Sequence, residues 1–227
     1  MRLVDNIFNS MLGAKSAPAI SAAVQDLDNT AENYNPEVMA WLNSTSWYKG
    51  NPNYITFEEA AAVTSNQFSE IPNAQKRAIV TFDEAKYFTS VTYLSNYAFY
   101  NCKLLERITL QNTLTSIGYQ TFRDCTSLAL TSLPSSITSI GNSAFSGCLA
   151  LKDTLYEIPS SVTEIGDKAF INVKFPRLKF LGLTPPTFGN ESIYANPNIV
   201  DCQVPSASLA EYQEAMKGLI YITISTY

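Results

Sequence analysis

The strongest constraint on this chain is a segment it writes repeatedly. "NTLTSIGYQTFRDC" (residues 112–125), "SSITSIGNSAFSGC" (135–148) and "SSVTEIGDKAF" (160–170) share one frame, and a looser copy precedes them. Aligned on their phenylalanine, the copies place Phe99, Phe122, Phe145 and Phe170 at intervals of 23, 23 and 25 residues. Val91, Leu114, Ile137 and Val162 open the frame, with Leu94, Ile117, Ile140 and Ile165 three residues later. Ser95, Gly118, Gly141 and Gly166 come next. Cys102, Cys125 and Cys148 follow the phenylalanine, with Val173 in that place in the fourth copy. Leu110, Leu133, Ile158 and Leu183 stand 11 or 13 residues past it and complete the frame. A period of this length is the signature of a solenoid. One copy offers about six apolar side chains, each stabilising by about 1.5–3 kcal/mol when buried. Ordering one copy costs on the order of 30 kcal/mol in conformational entropy. A copy on its own therefore does not fold, and stacked copies bury each other.

The frame "SxTSIGxxAFxxCxxL" resembles the BspA-like (Treponema pallidum-type) leucine-rich repeat of proteins from gut Bacteroidetes or their phages, over roughly Val91 to Pro186. "TFEEAAAVTS" and "TFDEAKYFTSV" resemble the entry segment of such arrays, and "TPPTFGNESIYANPNIVDCQVPSASLAEYQEAM" their exit segment. The resemblance implies a binding protein without catalysis, at a cell surface or secreted. The fold class expected is an α+β repeat solenoid. Its divisions are a docking peptide and linker at 1–34, a helical entry segment at 35–90, four leucine-rich repeats at 91–186, and a helix/strand cap at 187–227.

The ends carry cap signals. Asn35-Pro36 opens one helix, and Thr56 with Glu59, Thr81 with Glu84, and Ser208 with Glu211 have capping-box spacing. Gly218 ends the last helix, and "LIYITIS" alternates like a final strand. At the start, Leu3, Val4, Ile7, Phe8, Met11 and Leu12 share one helical face, followed by a small and polar linker. This stripe reads either as an anchor on a partner or as a segment folded back on its own domain. "MRLVDNIFNSMLGAKSAP" does not read as a secretory signal peptide.

Several chemistries lack their residues. The chain has no histidine, which removes Ser-His-Asp and Cys-His pairs. With 15 Lys+Arg against 20 Asp+Glu, it has no basic footprint for nucleic acid. No run of about 18 apolar residues is present to span a membrane. The cysteines of the frame are expected as a buried column of free thiols, and Cys202 is uninformative. A calcium loop ending at Glu59 would put Tyr48, Gly50 and Pro52 at ligand positions, so none is expected. The acid pairs Glu58/Glu59 and Asp83/Glu84 read as helix-capping residues rather than as a glycosidase pair. No cofactor or metal is expected.

What remains is the outer face. Thr92, Thr115, Thr138 and Thr163 share a strand position that Thr64 extends. Tyr93, Tyr97, Tyr100 and Tyr119 gather where later copies carry smaller or polar residues, and resemble a contact patch. The alternative is that they cover the N-terminal edge of the array against Trp41, Trp47 or Tyr48. The functional expectation is a non-catalytic module displayed on a larger assembly through its arm, most simply a virion-associated protein of a phage. A bacterial surface or secreted adhesin is the alternative, and a carboxylate-dependent hydrolase a remote one. Expected partners are a virion or surface protein for the arm, and a protein or glycan for the solenoid face. Homo-oligomerisation is left open.

Overall fold

The computed structural model describes residues 36–44, 57–65, 67, 77–130, 132–151, 155–173, 177–193, 201–218 and 223–227. In chain order these hold α1 (Pro36–Ser44), α2 (Phe57–Ala62), β1 (Thr81–Phe82), a 3-10 turn (Asp83–Tyr87), β2 (Tyr93–Leu94), β3 (Arg107–Ile108), β4 (Ser116–Ile117), β5 (Ser139–Ile140), β6 (Tyr156–Ile158), β7 (Glu164–Ile165), β8 (Arg177–Phe180), β9 (Thr187–Phe188), β10 (Asp201–Val204), a second 3-10 turn (Ser206–Ser208), α3 (Leu209–Ala215) and β11 (Thr223–Thr226). The expectations for residues 1–35, for the loop around Tyr48 and Thr56, and for the side chains of Trp41, Glu58, Glu59 and Glu84 fall outside the described residues.

The chain winds as a solenoid with a parallel sheet on each of two faces. The front sheet has the order β2-β4-β5-β7-β9, and the back carries β1-β3 and, further along, β6-β8-β10-β11. Front pairing follows the frame: Leu94 faces Ile117, Ile117 faces Ile140, Ile140 faces Ile165, and Ile165 faces Phe188. The ladder thus runs one strand past residue 186. Thr187-Phe188-Gly189 repeats Ser116-Ile117-Gly118, and Ile193 takes the phenylalanine position, fully buried.

Between the faces lies the core. Phe99, Phe122, Phe145 and Phe170 form a stack with centroids 5.3, 5.4 and 5.3 Å apart and interplanar angles of 5°, 14° and 1°. The turn that carries them is fixed by its backbone. Tyr97, Gln120, Ser143, Lys168 and Glu191 all have φ between 52° and 61°, and Asn101, Asp124, Gly147 and Asn172 form a second left-handed column. Non-glycine residues lie there at a cost of about 1–2 kcal/mol each. Amide bonds between turns offset it. The amides of Tyr97, Phe99 and Asn101 donate forward to the carbonyls of Tyr119, Thr121 and Arg123, at 2.8–2.9 Å, and the pattern repeats in later copies. Before the turn the copies approach too closely for a side chain: a Cβ on Gly141 would lie 2.7 Å from the carbonyl carbon of Gly118.

Side chains bond in the opposite sense. The hydroxyls of Thr115, Thr138 and Thr163 donate back to the carbonyls of Thr92, Thr115 and Thr138 at 2.9, 3.1 and 3.2 Å, and their amides donate to the same oxygens. The threonine row therefore links each front strand to the one before it. Its head is Ser65, whose Oγ accepts from the amides of Thr92 and Tyr93, whereas Thr64 bonds to Gln67. Cys125 and Cys148 likewise donate from Sγ to the carbonyls of Phe99 and Phe122. All four cysteines are free and buried, and burial pushes the thiols of Cys125 and Cys148 up and that of Cys202 to about 12.

The structure corrects three local expectations. Ile158 pairs with Phe180, and Leu183 is 67 % exposed, because the back face does not keep the front spacing. Thr81 lies in β1, so Phe82 takes the N-cap position of a 3-10 turn that no side chain caps. The Asp83 carboxylate instead pairs with Arg107 on β3 and accepts from Thr109 at 3.0 Å. α3 begins after Ser208 as expected, but again without a side-chain capping bond, and Gly218 beyond it has φ 94°.

Candidate binding surface

The frame residue after the glycine controls how one turn meets the next. Asn96 Oδ1 accepts from the Tyr119 amide at 2.8 Å, Asn142 Oδ1 from the Asp167 amide at 3.0 Å, and Asp167 Oδ1 from the Asn190 amide at 2.7 Å. In the second copy this position holds Tyr119, whose side chain has no such carbonyl. Its hydroxyl accepts from Gln120 Nε2 at 2.7 Å, from a buried neighbour at the left-handed position.

Tyr119 turns its ring to Tyr97 instead. The two meet edge-to-face at 5.2 Å and 90°, and Tyr97 meets Tyr100 at 5.9 Å and 87°. The rings remain 48 % (Tyr97), 38 % (Tyr100) and 37 % (Tyr119) exposed. Three of the four tyrosines singled out in the sequence thus form one surface across the first two copies. Tyr93 lies on the outward face of β2 and is 39 % exposed. Sequence reasoning missed the neighbours Asn96, Gln120, Arg123 and Asp124. The recurring Asn/Asp at the position before the left-handed residue was the available signal.

Arg123 follows the second phenylalanine and pairs with Asp124 at 3.5 Å, both partly exposed. A concavity of about 290 Å³ lies on the back face, lined among others by Ile108, Leu110, Leu130, Leu133 and Pro134. It gathers no acid–base pair: Arg107 at its rim is held by Asp83. Among the described residues no group of His, Cys, Asp and Glu is arranged to hold a metal. No described helix is long and apolar enough to cross a membrane.

Among solved structures, the chain is similar to the pneumococcal vaccine antigen PcpA, at 20 % identity over 66 % of this chain and 42 % of that one, TM-score 0.49. It is similar to the T. pallidum leucine rich repeat protein TpLRR at 23 % identity over 65 % and 78 %, TM-score 0.44. A leucine rich cell surface protein from Faecalibacterium prausnitzii matches at 23 % over 61 % and 38 %, TM-score 0.36. The chain spans less than half the length of the first and third of these. No curated protein sequence matches it. The model of the BspA type leucine rich repeat region matches residues 46–176 in six copies, two more than the frame counted from Val91. With more than half of its length matched and the coil described above, the chain belongs to the BspA type leucine rich repeat family.

Proposed function

We propose that this leucine-rich repeat solenoid is a non-catalytic binding module whose contact surface is the platform of Tyr97, Tyr100 and Tyr119. The observation that carries this reading is the break in the Asn/Asp ladder at Tyr119. A side-chain acceptor worth about 1 kcal/mol is absent at the position that completes the aromatic cluster, and local rules are broken mainly where function asks for it. Amphipathic aromatic rings held by a rigid backbone are efficient anchors, because little freedom is lost on contact. The test is Tyr119→Asn, which restores the residue type of the other copies. It should keep or raise the melting temperature and lower partner binding at least tenfold. Lower stability with unchanged binding would show the rings to be edge cover.

The setting proposed for the module is a larger assembly held through residues 1–34, with a phage virion as that assembly. What supports it is the apolar stripe Leu3, Val4, Ile7, Phe8, Met11 and Leu12 ahead of a polar linker. Protein lacking residues 1–34 should remain folded and no longer co-sediment with virions. Co-sedimentation of both forms with cell envelopes instead would place the module on a bacterial surface.

A further inference from the structure

We infer that the ligand of the tyrosine platform is a neutral glycan; this rests on the reading of the platform as the contact surface. The ring geometry narrows the ligand first. Tyr97 meets both neighbours at close to a right angle, with centroids 5.2 and 5.9 Å apart, so the rings touch and leave no slot between parallel faces. Proline-rich peptides dock into grooves between aromatic walls. A stepped platform of partly exposed rings instead suits a flat, saturated ring laid upon it. A pyranose is such a body, with apolar C–H faces and a rim of hydroxyls.

The rim of the platform supplies the matching polar groups. Asn96 uses its Oδ1 for the Tyr119 amide and retains its amide nitrogen as a donor. The Arg123 and Asp124 side chains pair at 3.5 Å and are 39 % and 40 % exposed; Nε itself is buried, so the terminal nitrogens of the guanidinium and the Asp124 carboxylate stand side by side as donor and acceptor. Neighbouring hydroxyls of a sugar need that combination, since each both donates and accepts. The pair carries no net charge. An anionic ligand would meet the Asp124 carboxylate, and a basic peptide the Arg123 guanidinium, so neutral hydroxyls fit best. Tyr97, Asn101, Gln120 and Asp124 all sit at left-handed positions fixed by the turn ladder, so the surface is ordered before the ligand arrives.

The experiment uses the full chain on an array of neutral oligosaccharides and, in parallel, on immobilised gastric mucin before and after periodate oxidation, which opens sugar rings and spares the polypeptide. Expected are binding to at least one neutral oligosaccharide and at least a tenfold loss on oxidised mucin. Tyr97→Ala should lose binding at least tenfold, Tyr97→Phe should stay within threefold of the parent, and Arg123→Gln should weaken binding with an unchanged melting temperature. Equal binding to intact and oxidised mucin that still depends on Tyr97 would overturn the glycan and leave the contact surface standing. Binding insensitive to every tyrosine substitution would overturn both. Failure to bind any neutral oligosaccharide would also overturn the glycan.

Discussion

The front and back faces of this coil are built by opposite rules. On the front, strand, glycine and phenylalanine keep fixed spacings through consecutive copies, because each is in van der Waals contact with its counterpart in the next. On the back, Ile108 follows Phe99 by 9 residues, Ile158 follows Phe145 by 13, and Phe180 follows Phe170 by 10. The two extra residues of the longest copy lie between Cys148 and Val162, on the way to and from the back strands. The back cavity also lies on this face, lined by Ile108, Leu110, Leu130 and Leu133 of earlier copies. The insertion falls where no stacked ring or glycine fixes the rise. A repeat protein of this kind is regular on one side so that it can be irregular on the other.

The sharpest way to break this contrast is to move an insertion from one face to the other. Gly-Ser inserted after Asn142 shifts the turn against both neighbours and should abolish cooperative urea unfolding. The same pair inserted after Ser132 should cost on the order of 0.6 kcal/mol, the scale of a modest loop extension. Similar losses at both sites would refute the division. Next in size is Phe145→Ala, which removes the ring between Phe122 and Phe170 and should destabilise by about 3–5 kcal/mol. Leu133→Ala, at the lip of the back cavity, should sit near the low end for a leucine, about 2 kcal/mol. Thr138→Val should lower the urea midpoint by only about 0.5–1 kcal/mol in stability, since the Thr138 amide keeps its bond to the Thr115 carbonyl.

The smallest effect belongs to Asp83. Hydrogen bonding from Arg107, aided by Thr109, holds its carboxyl below the ordinary 3.8. Its contribution is therefore complete above that value and disappears as pH falls through the lower folded value. Asp83→Asn should cost well under about 1 kcal/mol at neutral pH, because the pair is solvent-screened. The gap to the parent should begin to narrow as pH falls below 3.8 and close only below the lower folded value. A gap that widens on acidification would show that the pairing opposes folding.

The front face was legible in the sequence because invariant contacts leave invariant spacing: Leu94, Ile117, Ile140, Ile165 and the phenylalanine column all stand where the frame predicts. The fifth front strand was hidden by a swap, with Phe188 at the isoleucine position and Ile193 at the phenylalanine position. The back face was not legible, since a spacing that nothing fixes leaves no period to read, and Leu183 was aligned where Phe180 belongs. Capping boxes failed at Thr81 and Ser208 because residue types recorded a local preference while the chain there was already committed to a strand or a 3-10 turn. Of the candidate surface, the tyrosines were visible by their departure from the frame. Their polar rim was not, because Asn96, Asn142 and Asp167 look like ordinary turn residues until the bonds between copies are traced.

Those bonds have a direction. The three turn amides of each copy point forward along the coil, while the amides of the threonine row and of the glycines point back. Peptide dipoles of about 3.5 D each therefore partly oppose one another along the axis instead of all summing as they do in a helix. Another copy adds less axial dipole than the same number of aligned peptides in a helix would. An added copy is thus stabilised by burial against its neighbour with little electrostatic consequence along the axis.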